Sequence, residues 1–177
     1  MKKMIILLLT LLTVYQAAAQ VKATETDFIL KAGSVYWQHV YNIPGKYAEA
    51  ISVLLDTNLE AAPFKESYSK TDQKITFRIN DDKPNIKKYG GKVMKTALIA
   101  QLYMKYDVII DIVDNQYTVT VKNIFLDNRD ATEKKSGDIS KFACTTSNVS
   151  FKTDDKVRNG LAYSHRHLLE KYDVTAN

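Results

Sequence analysis

The residues that could do chemistry in this chain are three histidines, several carboxylates and one cysteine. His165 and His167 form an H-x-H pair, and His39 stands far from them in sequence. In a strand such a pair shares one face and could hold a metal ion. On a helix, residues two apart point about 200° apart and cannot chelate together. The context of the pair is helical, so it reads as two histidines on a surface helix. Asp107 and Asp111, with the pairs Asp81-Asp82 and Asp154-Asp155, could serve glycoside hydrolysis or cation binding. No calcium-binding loop accompanies them, which leaves solvated strand and turn residues. No serine lies in a G-x-S-x-G run, and Cys144, beside Thr145-Thr146-Ser147, has no protease signature around it. It reads as a small half-buried side chain. Gly90-Gly91 lacks the spacing and the lysine of a phosphate-binding loop. No catalytic residue, metal ligand or cofactor is assigned.

The elements that would position these groups are read from periodicity. The longest pattern runs from Leu98 to Leu126, where apolar residues alternate through Leu102, Met104, Tyr106, Val108, Ile110 and Ile112. A polar turn at Asp114-Asn115-Gln116 follows, and Tyr117, Val119 and Val121 resume the alternation. Successive side chains of a strand face opposite ways, so this is a hairpin with one dry and one wet face. The stretch Met94–Leu102 also fits helical spacing, but the continuing alternation favours strand. Near Asn123 the alternation slips, which predicts a bulge.

Upstream, Ser34–Tyr41 is a strand with Val35, Trp37, His39 and Tyr41 on one face. Pro44-Gly45 ends it. Lys46 to about Asn58 then carries Tyr47, Ala50, Ile51, Leu54 and Leu55 on one helical stripe, opposite Ser52. Leu59–Gln73 reads as a loop and Lys74–Asn80 as a strand closed by the turn residues Asn80–Pro84. Asp130–Gly137 reads as a solvated loop, followed by two short strands around Phe142 and around Val149–Phe151. Asp155–Tyr172 reads as an amphipathic helix capped by Asp154 or Asp155. The expected class is α+β: an antiparallel sheet with helices packed on one face.

Lys2 and Lys3, the apolar run Met4–Val14 and Ala17-Ala18-Ala19 have the form of a secretory signal peptide, cleaved between Ala19 and Gln20. The run is shorter than the roughly 20 residues that cross a bilayer, so no transmembrane anchor is expected after cleavage. The expected location is the periplasm, the cell surface or the medium. The expected organisation is a signal peptide over 1–19, an N-terminal arm over 20–33 that is loose or a short edge segment, and one α+β domain over 34–177. Within that domain 34–126 is the best supported part, 127–155 is loop-rich and 156–172 is the C-terminal helix. A single cysteine cannot form an intrachain disulfide, so the core alone must hold the fold. The formal charge of +5 falls to +3 when Lys2 and Lys3 leave. Lysines and aspartates are interspersed rather than gathered into the basic stripe of a nucleic-acid binder.

The aromatic strand Val35–Tyr41 soon after the signal peptide, the helix from Lys46 and the hairpin turn Asp114-Asn115-Gln116-Tyr117 carry a resemblance. Over about Ser34 to Leu126 the chain resembles the small exported proteins of Bacteroidetes-type bacteria grouped as domain of unknown function 4468, whose fold is TBP-like. Such proteins tend to have a charged turn ending in glycine; here Asn115 would take the left-handed position, which asparagine tolerates. The resemblance implies a TBP-like fold and export. It implies no activity.

What remains is a surface. If helices cover one side of the sheet, the other displays Tyr36, Gln38, Arg78, Tyr103, Lys105 and Lys122, with Lys74, Thr76, Thr118 and Thr120 between them. Tyrosine supplies contact area with a hydrogen-bonding tip, so this mixture makes a docking face; it is equally the composition of an ordinary wet sheet face. Ile109 is an anomaly on that side, because a solvated face has no need of it. The expected function is an exported non-enzymatic module that binds a protein or glycan partner through this face. The alternative is a cell-envelope hydrolase whose site would join two or more of His39, Asp107, Asp111 and His165. Nucleic-acid binding by analogy with the TBP saddle has fold analogy as its only warrant.

Overall fold

Alternating apolar strands and two amphipathic helices meet in one core. The computed structural model describes residues 20–23, 25–60, 65–129 and 136–175. The signal segment and residues 130–135 of the predicted polar loop lie outside the described residues. Eight strands are present among those described: β1 (Val21–Lys22), β2 (Phe28–Lys31), β3 (Ser34–Asn42), β4 (Lys65–Thr71), β5 (Lys74–Asp82), β6 (Tyr103–Val113), β7 (Gln116–Asp127) and β8 (Gly137–Asp138). They form one antiparallel sheet in the order β1-β2-β3-β7-β6-β5-β4, with β8 also paired to β7. Helices α1 (Ala48–Glu60), α2 (Ser140–Ala143) and α3 (Asp155–Tyr172) contribute to the same buried cluster as the inward strand residues. The class is α+β with helices on one face, as the periodicity predicts.

The hairpin β6–β7 lies in the middle of the sheet. Its register pairs Val113 with Gln116 across the two-residue turn Asp114-Asn115, and Asn115 is left-handed at φ 67. The turn also starts a helix. Asp114 Oδ1 accepts from the backbone N–H of Ala48 at 2.9 Å, and Asn115 Oδ1 accepts from that of Gly45 at 2.8 Å. A carboxylate at the first turn of α1 satisfies an orphan donor and meets the positive end of the helix dipole. The bulge predicted near Asn123 is present: Asn123 has φ 54, and the β6–β7 register shifts between Lys105 and Asp107.

Several expectations are corrected. Met94–Leu102 is not strand; it forms two single-turn 3-10 helices, Val93–Lys95 and Leu98–Ala100, that bury Ile99 and Ala100. Leu59–Gln73 is not simply a loop, because α1 runs to Glu60 and Lys65–Thr71 pairs with β5 as the edge strand β4. Its polar sequence hid it: an edge strand needs backbone pairing but little apolar burial. Asn80–Asp82 continues β5 instead of turning. On α1 the buried stripe is Ile51, Ser52, Leu55 and Leu59, while Tyr47 and Ala50 face solvent. Phe142 lies in α2 rather than a strand, and Phe151 makes an isolated bridge with Cys144. The N-terminal arm takes the edge-segment form: β1 pairs with β2, and β2 lies against β3 with Phe28 fully buried.

Helix α3 is capped by Asp154, whose Oδ1 accepts from Val157 N at 3.0 Å. Its buried stripe is Val157, Gly160, Leu161, Ser164, Leu168 and Tyr172. Gly160 marks a close approach: a Cβ there would lie 3.3 Å from Ala97 Cβ in the 3-10 region, a tight contact. At the other end, buried tyrosines of the sheet satisfy the last carbonyls of the helix. Tyr41 Oη donates to Leu169 O at 2.9 Å and Tyr117 Oη to Tyr172 O at 2.6 Å. The Tyr172 carbonyl is one that a helix leaves unpaired, and the sheet beneath binds it, while Leu169 O also accepts from Asp173 N at 3.1 Å.

Candidate functional site

The two histidines of α3 point to opposite flanks, as helical spacing requires, and each finds a carboxylate. Neither lies free on a surface helix. His167 Nε2 is 2.7 Å from Asp82 Oδ1, and Lys171 Nζ, one turn further, is 2.9 Å from Asp82 Oδ2. Tyr106 Oη also donates to Asp82, and Tyr172 Oη donates to Tyr106 Oη at 3.3 Å. Asp82 is 6 % exposed, so its reading as a solvated turn residue is overturned. Burial works against its ionisation, but the His167 hydrogen bond, the Lys171 charge and the Tyr106 hydroxyl outweigh it and hold the carboxyl well below the usual range. This network ties α3 to β5 and β6.

On the other flank, His165 Nδ1 accepts from the indole N–H of Trp37 at 3.0 Å. The neutral ring therefore carries its proton on Nε2. Asp27, in the β1–β2 turn, completes the cluster. Its Oδ2 accepts from His39 Nδ1 at 2.6 Å and lies 3.8 Å from His165 Nδ1, while Lys22 Nζ is 2.7 Å from Oδ1. Burial alone would raise the Asp27 pKa; the hydrogen bonds from Lys22 and His39 bring it below the usual value. A concavity of about 380 Å³, lined by Lys22, Glu25, Thr26, Asp27 and His165, opens beside the cluster. Asp27 was invisible to sequence reasoning. Among the described residues no group of three His, Cys, Asp or Glu side chains is placed to hold a metal ion.

The cluster has a measurable consequence. Burial, ahead of the opposing Asp27 charge, lowers the His165 pKa below 6.5, with His39, Lys22 and Arg166 acting in the same direction. Its neutral form therefore contributes stability that is fully present above pH 6.5 and is lost as pH falls through the folded-state value. Protonating Nδ1 removes the acceptor from Trp37, the only tryptophan in the chain. A fluorescence titration should show a transition with a midpoint below 6.5. His165→Gln, whose amide oxygen can accept the same bond without titrating, should abolish it. An unchanged transition in that variant would assign the signal to another group.

The uncovered face of the sheet holds the residues singled out by alternation, in two different settings. Toward β5 and β6 they are engaged with one another. Arg78 Nε is 2.7 Å from Asp107 Oδ1 and Lys105 Nζ is 2.9 Å from Asp127 Oδ2. The Tyr103 ring lies under Lys83 Nζ at 4.4 Å and the Arg129 guanidinium at 4.8 Å. Asp111 pairs with Lys74 at 3.3 Å. Toward β2, β3 and β7, Tyr36 and Gln38 border a concavity of about 390 Å³ with Ile29, Lys31 and Thr120, and Gln38 Nε2 donates to Thr120 Oγ1 at 2.9 Å. Gln20, the residue after the expected cleavage point, lines the same concavity. Asp107 and Asp111 lie on this face, on the other side of the sheet from the His39–Asp27–His165 cluster. Cys144 is buried, and burial pushes its thiol up to about 11, which makes it a poor nucleophile.

No protein-family model matches the chain, and no curated protein does. Two solved structures are similar to it. A TBP-like protein from Parabacteroides distasonis superimposes with a TM-score of 0.56 at 14% identity, covering 83% of this chain and 96% of its own. A domain of unknown function 4468 family protein from Bacteroides ovatus aligns with a TM-score of 0.44 at 14% identity, covering 93% of this chain and 90% of its own. No helix among the described residues is long and apolar enough to cross a membrane. With its antiparallel sheet, helices on one face and the first of these likenesses, the chain has the TBP-like fold.

Proposed function

We propose that the chain is an exported, non-enzymatic module that binds a protein or glycan partner through the open face of its sheet. The observation that carries this reading is the position of Tyr36 and Gln38 at a concavity on the side of the sheet that no described helix covers. Export rests on the charged, apolar and small-residue order of residues 1–19. The experiment is cross-linked capture from envelope and medium fractions, comparing the native chain with Tyr36→Ala/Gln38→Ala/Lys122→Ala. Arg78 and Tyr103 are left intact, because their partners are within the chain and their removal would disturb the sheet itself. A partner captured by the native chain should be lost by the triple variant at least tenfold, or about 1.4 kcal/mol. Undiminished capture would remove the face from consideration.

A second reading, a cell-envelope hydrolase, is favoured by one observation: His39 and His165 meet at Asp27 beside a concavity. The Asp27–His39 pair orients an imidazole as a general base would require. Thr26, the hydroxyl residue of that concavity, spends its Oγ1 within its own turn, donating to Ala23 O and accepting from Phe28 N. Turnover of activated esters or glycosides that disappears in Asp27→Asn would support this reading. An inert native protein would remove it.

A further inference from the structure

The strand registers sort the open face into rows, and the rows differ in charge. One row runs Lys122, Asp107, Arg78, Glu66 across β7, β6, β5 and β4, so positive and negative groups alternate. Opposite charges on neighbouring strands stabilise each other and cancel their field at a distance. Two rows further toward the hairpin turn, Asp111 lies between Thr118 and Lys74 and pairs with the lysine. Between these two rows runs a third with no charge at all: Gln38, Thr120, Ile109, Thr76 and Ser69. A concavity opens near each end of it. The first, of about 390 Å³, has Tyr36 as its aromatic wall. The second, of about 310 Å³, has Ile109 and Thr76 beside the Arg78–Asp107 pair. Each is the size of a small-molecule subsite. Strands β3 and β6 are separated only by β7, so the two lie on the order of 10 Å apart.

We propose that this uncharged row is a binding site for a neutral glycan, with Tyr36, in the adjoining row beside Gln38, as the stacking platform and Gln38, Thr120 and Thr76 as hydrogen-bonding partners for sugar hydroxyls. The inference rests on the open-face reading and names the class of partner. Charge decides between candidates. A nucleic acid or an acidic polysaccharide needs a concentrated positive field; here Lys74, Arg78, Lys105 and Lys122 stand beside carboxylates, and Lys31 at the rim of the first concavity is a single charge. A peptide added as a further strand needs a free edge. One edge strand, β1, has two residues, and the other, β4, is broken by a bulge between Glu66 and Ser69. A protein docking flat on the face would want apolar anchors clustered across it, whereas Tyr36 with its neighbour Ile29 is separated from Val40 and Ile109 by Gln38 and Thr120. A pyranose ring, apolar on its C–H faces and rimmed by hydroxyls, matches an aromatic wall next to an amide and a hydroxyl row.

The test is affinity electrophoresis of the native full chain in gels containing dextran, amylopectin, mannan or xylan, and in parallel polygalacturonate or chondroitin sulfate. Retardation is expected in at least one neutral polymer and should be insensitive to added salt, because no ion pair forms. Tyr36→Ala should weaken it about tenfold or more, and Thr120→Val, which removes a hydroxyl at constant shape, should weaken it in the same direction. Circular dichroism confirms that both variants fold. Retardation confined to the anionic polymers and fading with salt, or no retardation in any polymer, would overturn the proposal. A protein partner captured on the face without any glycan retardation would likewise overturn it while leaving the open face as the binding surface. Glycan retardation untouched by both substitutions would remove the face as well.

Discussion

Replacing Asp82 with alanine should destabilise the fold by about 3–5 kcal/mol, the usual result of removing one member of a buried, hydrogen-bonded charge network. The loss goes beyond one contact. Tyr106 is fully buried and its hydroxyl donates to Asp82; without the carboxylate it keeps the hydrogen bond from the Tyr172 hydroxyl but loses its acceptor. Lys171 and His167 lose their common anchor at the same time, so the C-terminal half of α3 is released from β5. Asp111→Ala is the control. Its partner Lys74 is exposed, and such pairs contribute about 0–1 kcal/mol. Urea unfolding of the two variants beside the native chain makes the comparison. A change for Asp82→Ala no larger than that for Asp111→Ala would show that the network is dispensable. The pH dependence follows from the depressed pKa of Asp82. Because the folded state binds the proton more weakly than the unfolded chain, its contribution is complete above the ordinary aspartate value near 3.9 and is lost as pH falls toward the folded-state value. The difference between native and variant stability should therefore shrink in strong acid.

The sheet was legible where burial imposes a period. In β6 and β7 one face is dry and the other wet, so alternation marks each residue's side, and even the bulge at Asn123 shows as a slipped beat. The pattern fails where backbone pairing alone makes the structure. In β4 Tyr68 and Lys70 turn toward Asp56 of α1, and the remaining side chains are polar, so no apolar rhythm announces a strand. Met94–Leu102 fits two periods at once, and packing against α3 resolves it into 3-10 turns that satisfy neither. The H-x-H pair was read correctly in its geometry and wrongly in its surroundings. Two positions on opposite flanks of a helix cannot share an ion, but both flanks of α3 are pressed against the sheet. A signal for the Asp82 network was present. His167 and Lys171, four apart, share a helix flank, and Tyr106 sits at an inward strand position where its hydroxyl needs a partner. Asp27 offered nothing comparable. It stands in a polar turn, and His165 lies 138 positions away in the chain.

Trp37→Ala should cost about 3–5 kcal/mol, the range for truncating a large buried aromatic. Against a total of about 5–15 kcal/mol for a domain of this kind, such a loss leaves the chain near its folding limit. The position explains the size. Trp37 is fully buried on β3, its ring centroid is 6.0 Å from that of His39 and 6.5 Å from that of Tyr172, and its indole N–H reaches across to His165 on α3. Sheet, helix and the β1–β2 turn therefore meet at one side chain. Trp37→Phe separates packing from hydrogen bonding, since it keeps most of the ring but leaves His165 Nδ1 without the indole donor. Combining Trp37→Phe with His165→Gln closes a double-mutant cycle. A coupling of about 0.5–3 kcal/mol is expected for residues in one hydrogen-bonded cluster. Strict additivity would mean that the indole stabilises the fold by filling space alone, and that the Trp37–His165 bond does not hold α3 to the sheet. In that event Trp37→Phe would also leave hydrogen exchange near Asp27 unchanged. If the bond does tie the two layers, exchange should rise in the β1–β2 turn as well as in the middle of α3, because Asp27 sits against the same histidine.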